Sequence, residues 1–156
     1  MRVVIQKVSQ ASVTVNSQII SKINKGYFLL VGISTTDTED EMQRLAKKIC
    51  GLRLFEQDEN DIHNNLWKKN IKDVNGEILS VSQFTLYAKT KKGTKPDFHR
   101  SQKSAIANPL YESFLSHLRK ELGSEDKVFD GEFGAMMSCA LTNEGPCTII
   151  LDSEEQ

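Results

Sequence analysis

At 156 residues with 38% apolar side chains, the chain has material for one compact core and not for two ordinary domains, so a single domain over residues 1–156 is expected. Lys and Arg number 20 against 21 Asp and Glu, a formal charge of -1, which argues against a general polyanion binder and confines any nucleic-acid contact to a local patch. No apolar run approaches the roughly 20 residues of a membrane helix, and Met1-Arg2-Val3-Val4-Ile5-Gln6-Lys7 lacks a signal peptide's long apolar centre, so a cytoplasmic protein without a membrane partner is expected. Cys50, Cys139 and Cys147 show no C-x-x-C spacing; reduced, packed thiols are expected rather than a disulfide framework or zinc site.

Val3-Val4-Ile5 leads into the strict alternation of Ala11 to Val15, then Ile19-Ile20, a pattern that predicts strands joined by a hairpin. Lys25-Gly26 marks a turn, and the unbroken apolar run Tyr27 to Ile33 predicts a central strand buried on both faces. Thr38 and Glu41 form a capping box, after which Met42, Leu45, Ala46 and Ile49 make one helical stripe ending near Gly51. Leu52 to Phe55 returns to strand. Residues 56–70 are polar, with Leu66 and Trp67 expected to anchor a long excursion.

Asn75-Gly76 predicts a two-residue hairpin, followed by a strand from Ile78 to Leu86 and a basic loop from Lys89 to Lys95. Asn108-Pro109 reads as the start of a second helix carrying Tyr111, Phe114, Leu115, Leu118 and Leu122 before Gly123. Val128-Phe129, Ala135 to Leu141 and Cys147 to Leu151 read as strands, with turns at Asp130-Gly131 and Asn143-Glu144-Gly145. Many antiparallel-type strands with two helices predict a mixed α/β fold built on a curved sheet or barrel.

The usual catalytic sets are missing. His63, His99 and His117 are scattered, and no G-x-S-x-G elbow, P-loop or dinucleotide fingerprint occurs. Two stretches are unusual: Ser82-Gln83-Phe84-Thr85-Leu86-Tyr87-Ala88, where small polar groups interrupt a strand-like run, and Asn143-Glu144-Gly145-Pro146-Cys147-Thr148. Taken singly, the first reads as a strand with one solvated face and the second as a plain turn. Lys89, Lys91, Lys92, Lys95, Arg100 and Lys103 fall within fifteen residues containing one acid, Asp97; a solvated loop and a phosphate-binding patch are equally good readings of that run.

Together the two stretches resemble the D-aminoacyl-tRNA deacylase family. The resemblance extends through the opening Met1 to Val8, Ala11-Ser12-Val13, Leu52-Arg53-Leu54-Phe55, Lys92-Gly93 with Pro96, and Phe133-Gly134-Ala135-Met136-Met137. Lys7 and Cys147 depart from it, because the family usually has Arg and Val there. The resemblance implies hydrolysis of the ester joining a D-amino acid, and glycine, to the 3′ end of tRNA, with no metal or organic cofactor. It implies a homodimer in which a cis Gly145-Pro146 loop enters the partner's pocket and excludes L side chains. Ser82, Gln83, Phe84 and Thr85 would form the catalytic wall, and Ala107, Phe133 and Met137 would lie near the terminal adenosine. Lys89, Lys91, Lys92 and Lys95 are the candidate phosphate contacts. A binding module without hydrolysis and a deacylase for small D-amino-acid derivatives are the competing readings.

Overall fold

The computed structural model describes residues 1–58, 60 and 65–155. Its strands are β1 (Arg2–Val15), β2 (Gln18–Ile23), β3 (Gly26–Gly32), β4 (Arg53–Phe55), β5 (Lys69–Asn70), β6 (Glu77–Ser82), β7 (Val128–Asp130) and β8 (Ser138–Asp152); its long helices are α1 (Glu39–Gly51) and α2 (Ser104–Leu122). This is a mixed α/β fold around a nearly closed, barrel-like sheet.

The long strand β1 organises the sheet. β8 pairs antiparallel with it from Arg2 to Thr14, while its other edge is shared by β3, against residues 2–8, and β2, against residues 11–15. β6 then runs parallel to β3, and β7 parallel to β6. The Ser21 hydroxyl donates to the Asp130 carbonyl, tying β2 to β7. The β1–β2 hairpin turns through Asn16 and Ser17, both at positive φ (49° and 64°), which matches the right-handed twist of the flanking strands.

Two cores result. Val3, Ile5, Tyr27, Leu29 and Val31 pack against Met42, Leu45, Ala46 and Ile49 of α1 and Tyr111, Phe114, Leu115 and Leu118 of α2. Val8, Ala11, Val13, Val15, Ile23, Phe28, Leu79 and Val81 fill the barrel. The change of core along β1 occurs where its pairing with β8 shifts register, between Gln6 and Gln10.

The capping box of α1 is present: the Thr38 amide donates to the Glu41 carboxylate at 2.7 Å. Four other expectations are corrected. Asn75-Gly76 makes no hairpin: Gly76 donates to the Ile71 carbonyl and Asn75 to that of Lys72, a helix-terminating pattern in which Asn75 takes the left-handed conformation (φ 54°). Helix α2 starts at Ser104, so Pro109 lies inside it as the sixth residue, past the first turn, where its missing N–H removes one intrahelical bond. Trp67 is 53% exposed and anchors nothing, whereas Ile71 is fully buried. The strand expected to reach Leu86 stops at Ser82 and becomes a 3-10 turn, Phe84–Tyr87.

Candidate active site

Strand β6 delivers the first motif to the end of the barrel. Gln83 donates its amide to the Val31 carbonyl at 2.7 Å, and the chain then tightens into the 3-10 turn. Gly32 makes this packing possible, because a Cβ there would lie 3.0 Å from Leu86 Cβ and 3.1 Å from the Gln83 carbonyl oxygen. The turn is held by the buried Tyr87 ring and by Arg2, whose guanidinium sits 4.8 Å from that ring's centroid and donates to the Leu86 carbonyl at 3.1 Å. Asp152 fixes Arg2 at 2.7 Å and raises its pKa. Burial, reinforced by the charge of Asp37, pushes the Tyr87 hydroxyl up to about 12, so it stays neutral.

Beside this turn lies a cavity of about 650 Å³. Ser82, Gln83 and Phe84 form one wall, Ser104 and Ala107 of α2 another, and Phe133 and Met137 a third. Phe84 meets Phe98 edge-to-face at 5.0 Å, and Phe133 leans on Tyr111 at 5.8 Å. Tyr111 is fixed from behind by donating to the Ser80 hydroxyl at 3.0 Å. Gly131 leaves room for Met137, whose Sδ would lie 2.5 Å from any Cβ placed there. The first turn of the 3-10 segment leaves the Phe84 and Thr85 amides ahead of its first internal bond, Leu86 N–H to the Gln83 carbonyl.

The structure thus brings Ser82, Gln83, Phe84, Ala107, Phe133 and Met137 together. Thr85 is exposed and outside the cavity lining; its hydroxyl accepts a hydrogen bond from Gln83 Nε2. Gly145 and Pro146 do not line the cavity of their own chain. Instead of forming a turn between two strands they sit in an outward bulge of the continuous strand β8, with the peptide bond between them cis and Gly145 at φ 117°. Phe98, Gln102 and Cys139 also line it and have no local sequence signal, because separate stretches of chain deliver them.

Other candidates are accounted for. His99 pairs with Asp97 at 2.6 Å on the surface, and His117 with Glu39 at 2.7 Å, while Ser113 also donates to Glu39. These bonds, that of Ser113 first, hold the Glu39 carboxyl below its ordinary value. His63 lies outside the described residues. Cys50 is buried, but Cys139 is exposed and Cys147 half-buried, so only one of the three thiols is packed as expected. Burial raises the pKa of all three, which keeps them protonated at neutral pH. Among the described residues no three His, Cys, Asp or Glu side chains converge as donors for a metal ion, and no helix is long and apolar enough to cross a membrane.

The basic run divides. Arg100 is tied to Glu154 at 2.7 Å, and Lys89 is pinned by two backbone bonds to Asp97. Lys91, Lys92 and Lys95 are exposed on a loop whose Gly93 has φ 69°, with no ion pair to them among the described residues.

The family model for D-Tyr-tRNA(Tyr) deacylase matches residues 4–152. A D-aminoacyl-tRNA deacylase of Saccharomyces cerevisiae is 66% identical over 99% of this chain and 100% of its own length, and one of Flavobacterium psychrophilum is 51% identical over 100% and 99%. Among solved structures, the c-Myc DNA Unwinding Element Binding Protein superposes with a TM-score of 0.88 at 44% identity, covering 98% of this chain and 99% of that one. A structure described as "a probable eukaryotic D-amino acid tRNA deacylase" shares the fold, with a TM-score of 0.84 at 18% identity over 96% and 97%. With the family model covering nearly its whole length and full-length relatives 66% and 51% identical, the chain belongs to the D-Tyr-tRNA(Tyr) deacylase family.

Proposed function

We infer that this chain is a hydrolase of D-aminoacyl-tRNA, acting in the cytoplasm as one 1–156 domain per subunit, and that its chemistry rests on backbone groups. The observation carrying this reading is the cavity between the Ser82-Gln83-Phe84 wall and the Ala107, Phe133 and Met137 walls, next to two amides at the start of a 3-10 turn. An aminoacyl ester is already activated, so positioning and stabilisation of the developing oxyanion suffice. The amides of Phe84 and Thr85 are the donors for that oxyanion. Water attacks the ester carbonyl, the bond from the acyl carbon to the 3′ oxygen breaks, and the neighbouring 2′-OH takes part in passing the water's proton to that departing oxygen, which releases the free D-amino acid and the tRNA with its 3′-OH. The adenosine occupies the pocket formed by Ala107, Phe133 and Met137.

Because Gly145 and Pro146 are exposed on β8 and do not line the cavity of their own chain, they serve the cavity of a second copy in a homodimer. Exposed Ile150 (69%) on the same strand and Met136 (92%) on the cavity rim supply apolar surface for that contact. There the bulge backbone surrounds the α-carbon of the substrate. An L side chain meets it, a D side chain points outward, and glycine passes.

Incubating the protein with D-Tyr-tRNA, L-Tyr-tRNA and free D-tyrosyl ester tests the reading. Fast hydrolysis of the first alone is expected. Equal hydrolysis of both tRNA esters would refute the chirality filter, preference for the free ester would point to a small-molecule deacylase, and binding without turnover would leave a nucleic-acid-binding module.

Two variants refine the site. Thr85→Ala should retain most of the turnover, because the Thr85 hydroxyl receives a hydrogen bond from Gln83 and contacts no base. Abolished activity in a single-turnover assay would make it a nucleophile instead. Reversing Lys91 and Lys92 to Glu should weaken tRNA binding and flatten its salt dependence by about two in log–log slope, about one per lost phosphate contact. Affinity measured from 50 to 200 mM salt, roughly the range over which such contacts are lost, checks this; an unchanged slope rules out phosphate contacts there.

A further inference from the structure

The bulge carrying Gly145 and Pro146 has a specific mechanical problem. Between the pairs Gln6↔Thr148 and Val8↔Asn143, β1 contributes only Lys7, whereas β8 contributes Glu144, Gly145, Pro146 and Cys147. Four residues facing one cannot keep the ladder of backbone bonds, so the Lys7 carbonyl loses a strand partner and the loop has no regular bonding to fix its shape.

One side chain closes both gaps. Asn143 Nδ2 donates to the Lys7 carbonyl at 2.9 Å and to the Cys147 carbonyl at 3.0 Å. The first bond crosses to β1, and the second spans the base of the bulge. Both partners are acceptors, so the amide nitrogen must face them, and its two hydrogens are both used. The Thr148 hydroxyl, 3.4 Å from Oδ1, lies on the other side of the amide. Asn143 is half-buried, whereas Gly145 and Pro146 are exposed. Their backbone direction is therefore set from below.

We propose that Asn143 is a positioning residue that fixes the Gly145-Pro146 bulge and thereby sets the discrimination between D- and L-aminoacyl esters. This rests on the assignment of the bulge as the chirality filter. The amide acts on the backbone that meets the substrate and does not touch substrate itself. Aspartate is the sharpest contrast to asparagine here, because the same shape presents oxygens to both carbonyls and supplies no donor when ionised.

The test compares single-turnover hydrolysis of D-Tyr-tRNA and L-Tyr-tRNA by the wild type, Asn143→Ala and Asn143→Asp, with melting curves and light scattering on each. The D-to-L rate ratio is expected to fall by about tenfold or more in both variants, the factor that loss of one or two hydrogen bonds represents. In Asn143→Asp the ratio should partly recover as pH is lowered and the carboxyl gains an O–H to donate, while that of the wild type stays flat. A ratio equal to that of the wild type in a folded variant overturns the proposal, as does failure of both variants to fold, which would make Asn143 a folding residue. If the wild type itself shows no D preference, the filter assignment fails first, and the controls separate that outcome from a fault in the role of Asn143.

Discussion

Gly145→Ala is expected to lower kcat/KM for D-Tyr-tRNA by about tenfold to a hundredfold while the melting temperature moves by only a few degrees. At φ 117° an L side chain is strained in any surroundings, and a Cβ would stand 2.8 Å from the Cys147 amide nitrogen and 3.3 Å from Cys147 Cβ. The obstructing atoms belong to Cys147 of the same bulge, so relief comes from moving the bulge rather than from opening the core. Activity therefore falls more than stability. Single-turnover deacylation alongside a thermal melt measures both, and undiminished turnover would remove the bulge from the reaction.

A second large effect is expected beneath that bulge. The Lys7 ammonium is ion-paired with Glu56, with only 6% and 12% of the two side chains exposed, and lies 5.4 Å from the centroid of the Phe55 ring. Glu56→Ala leaves the ammonium buried and unpaired, which should cost about 3–5 kcal/mol and lower the melting temperature by about 10 °C. Replacing both partners with apolar residues, Lys7→Met with Glu56→Leu, should recover most of that loss, because the desolvation penalty disappears with the charges. Urea midpoints of the three proteins decide the matter; a single variant as stable as the wild type would show that the pair contributes nothing.

The pair also carries a pH signature. Burial, the largest single influence, pushes the Glu56 carboxyl up, but the Lys7 hydrogen bond, a backbone hydrogen bond and the charges of Lys7 and Lys25 together outweigh it, leaving it below its ordinary value. A carboxyl depressed in the folded state adds stability above its unfolded pKa and loses it as pH falls through the folded value. Wild-type stability should therefore decline on acidification more steeply than that of Glu56→Gln, the difference opening below about pH 4.5. Lys7 thus uses its ammonium on Glu56 and its carbonyl on Asn143.

Where local chemistry had one meaning, the sequence was legible. Thr38 with Glu41 and the stripe from Met42 to Ile49 allow only an amphipathic helix, and that helix is found. Asn75-Gly76 was ambiguous because a left-handed Asn followed by Gly ends a helical turn as readily as it joins two strands, and β6 pairs in parallel with distant β3 rather than with β5. Asn108-Pro109 suggests a helix start because Pro is favoured in a first turn, yet the packing of Ala107, Tyr111, Phe114, Leu115 and Leu118 carries the helix through Pro109 from Ser104. Asn143 to Pro146 read as a turn because the side-chain clasp that lets β8 continue leaves no trace in residue spacing. The cavity was half legible. Ser82 to Phe84 stood out as polar residues breaking a strand, whereas Phe98, Gln102 and Cys139 reach it only through tertiary placement.

The pairing of β1 with β8 also bears on how the protein is made. Arg2 meets Asp152 across 150 positions of sequence, and the strand opposite the Gly-Pro bulge is synthesised long before the bulge itself. Until the last strand leaves the ribosome, β1 displays an open edge along its whole length, and the Lys7 carbonyl waits without its amide partner. Contacts this remote in sequence make for slow closure and a nascent chain exposed to misassociation. Residues 138–152 must therefore be synthesised before any copy of the chain can close this edge of its sheet over β1.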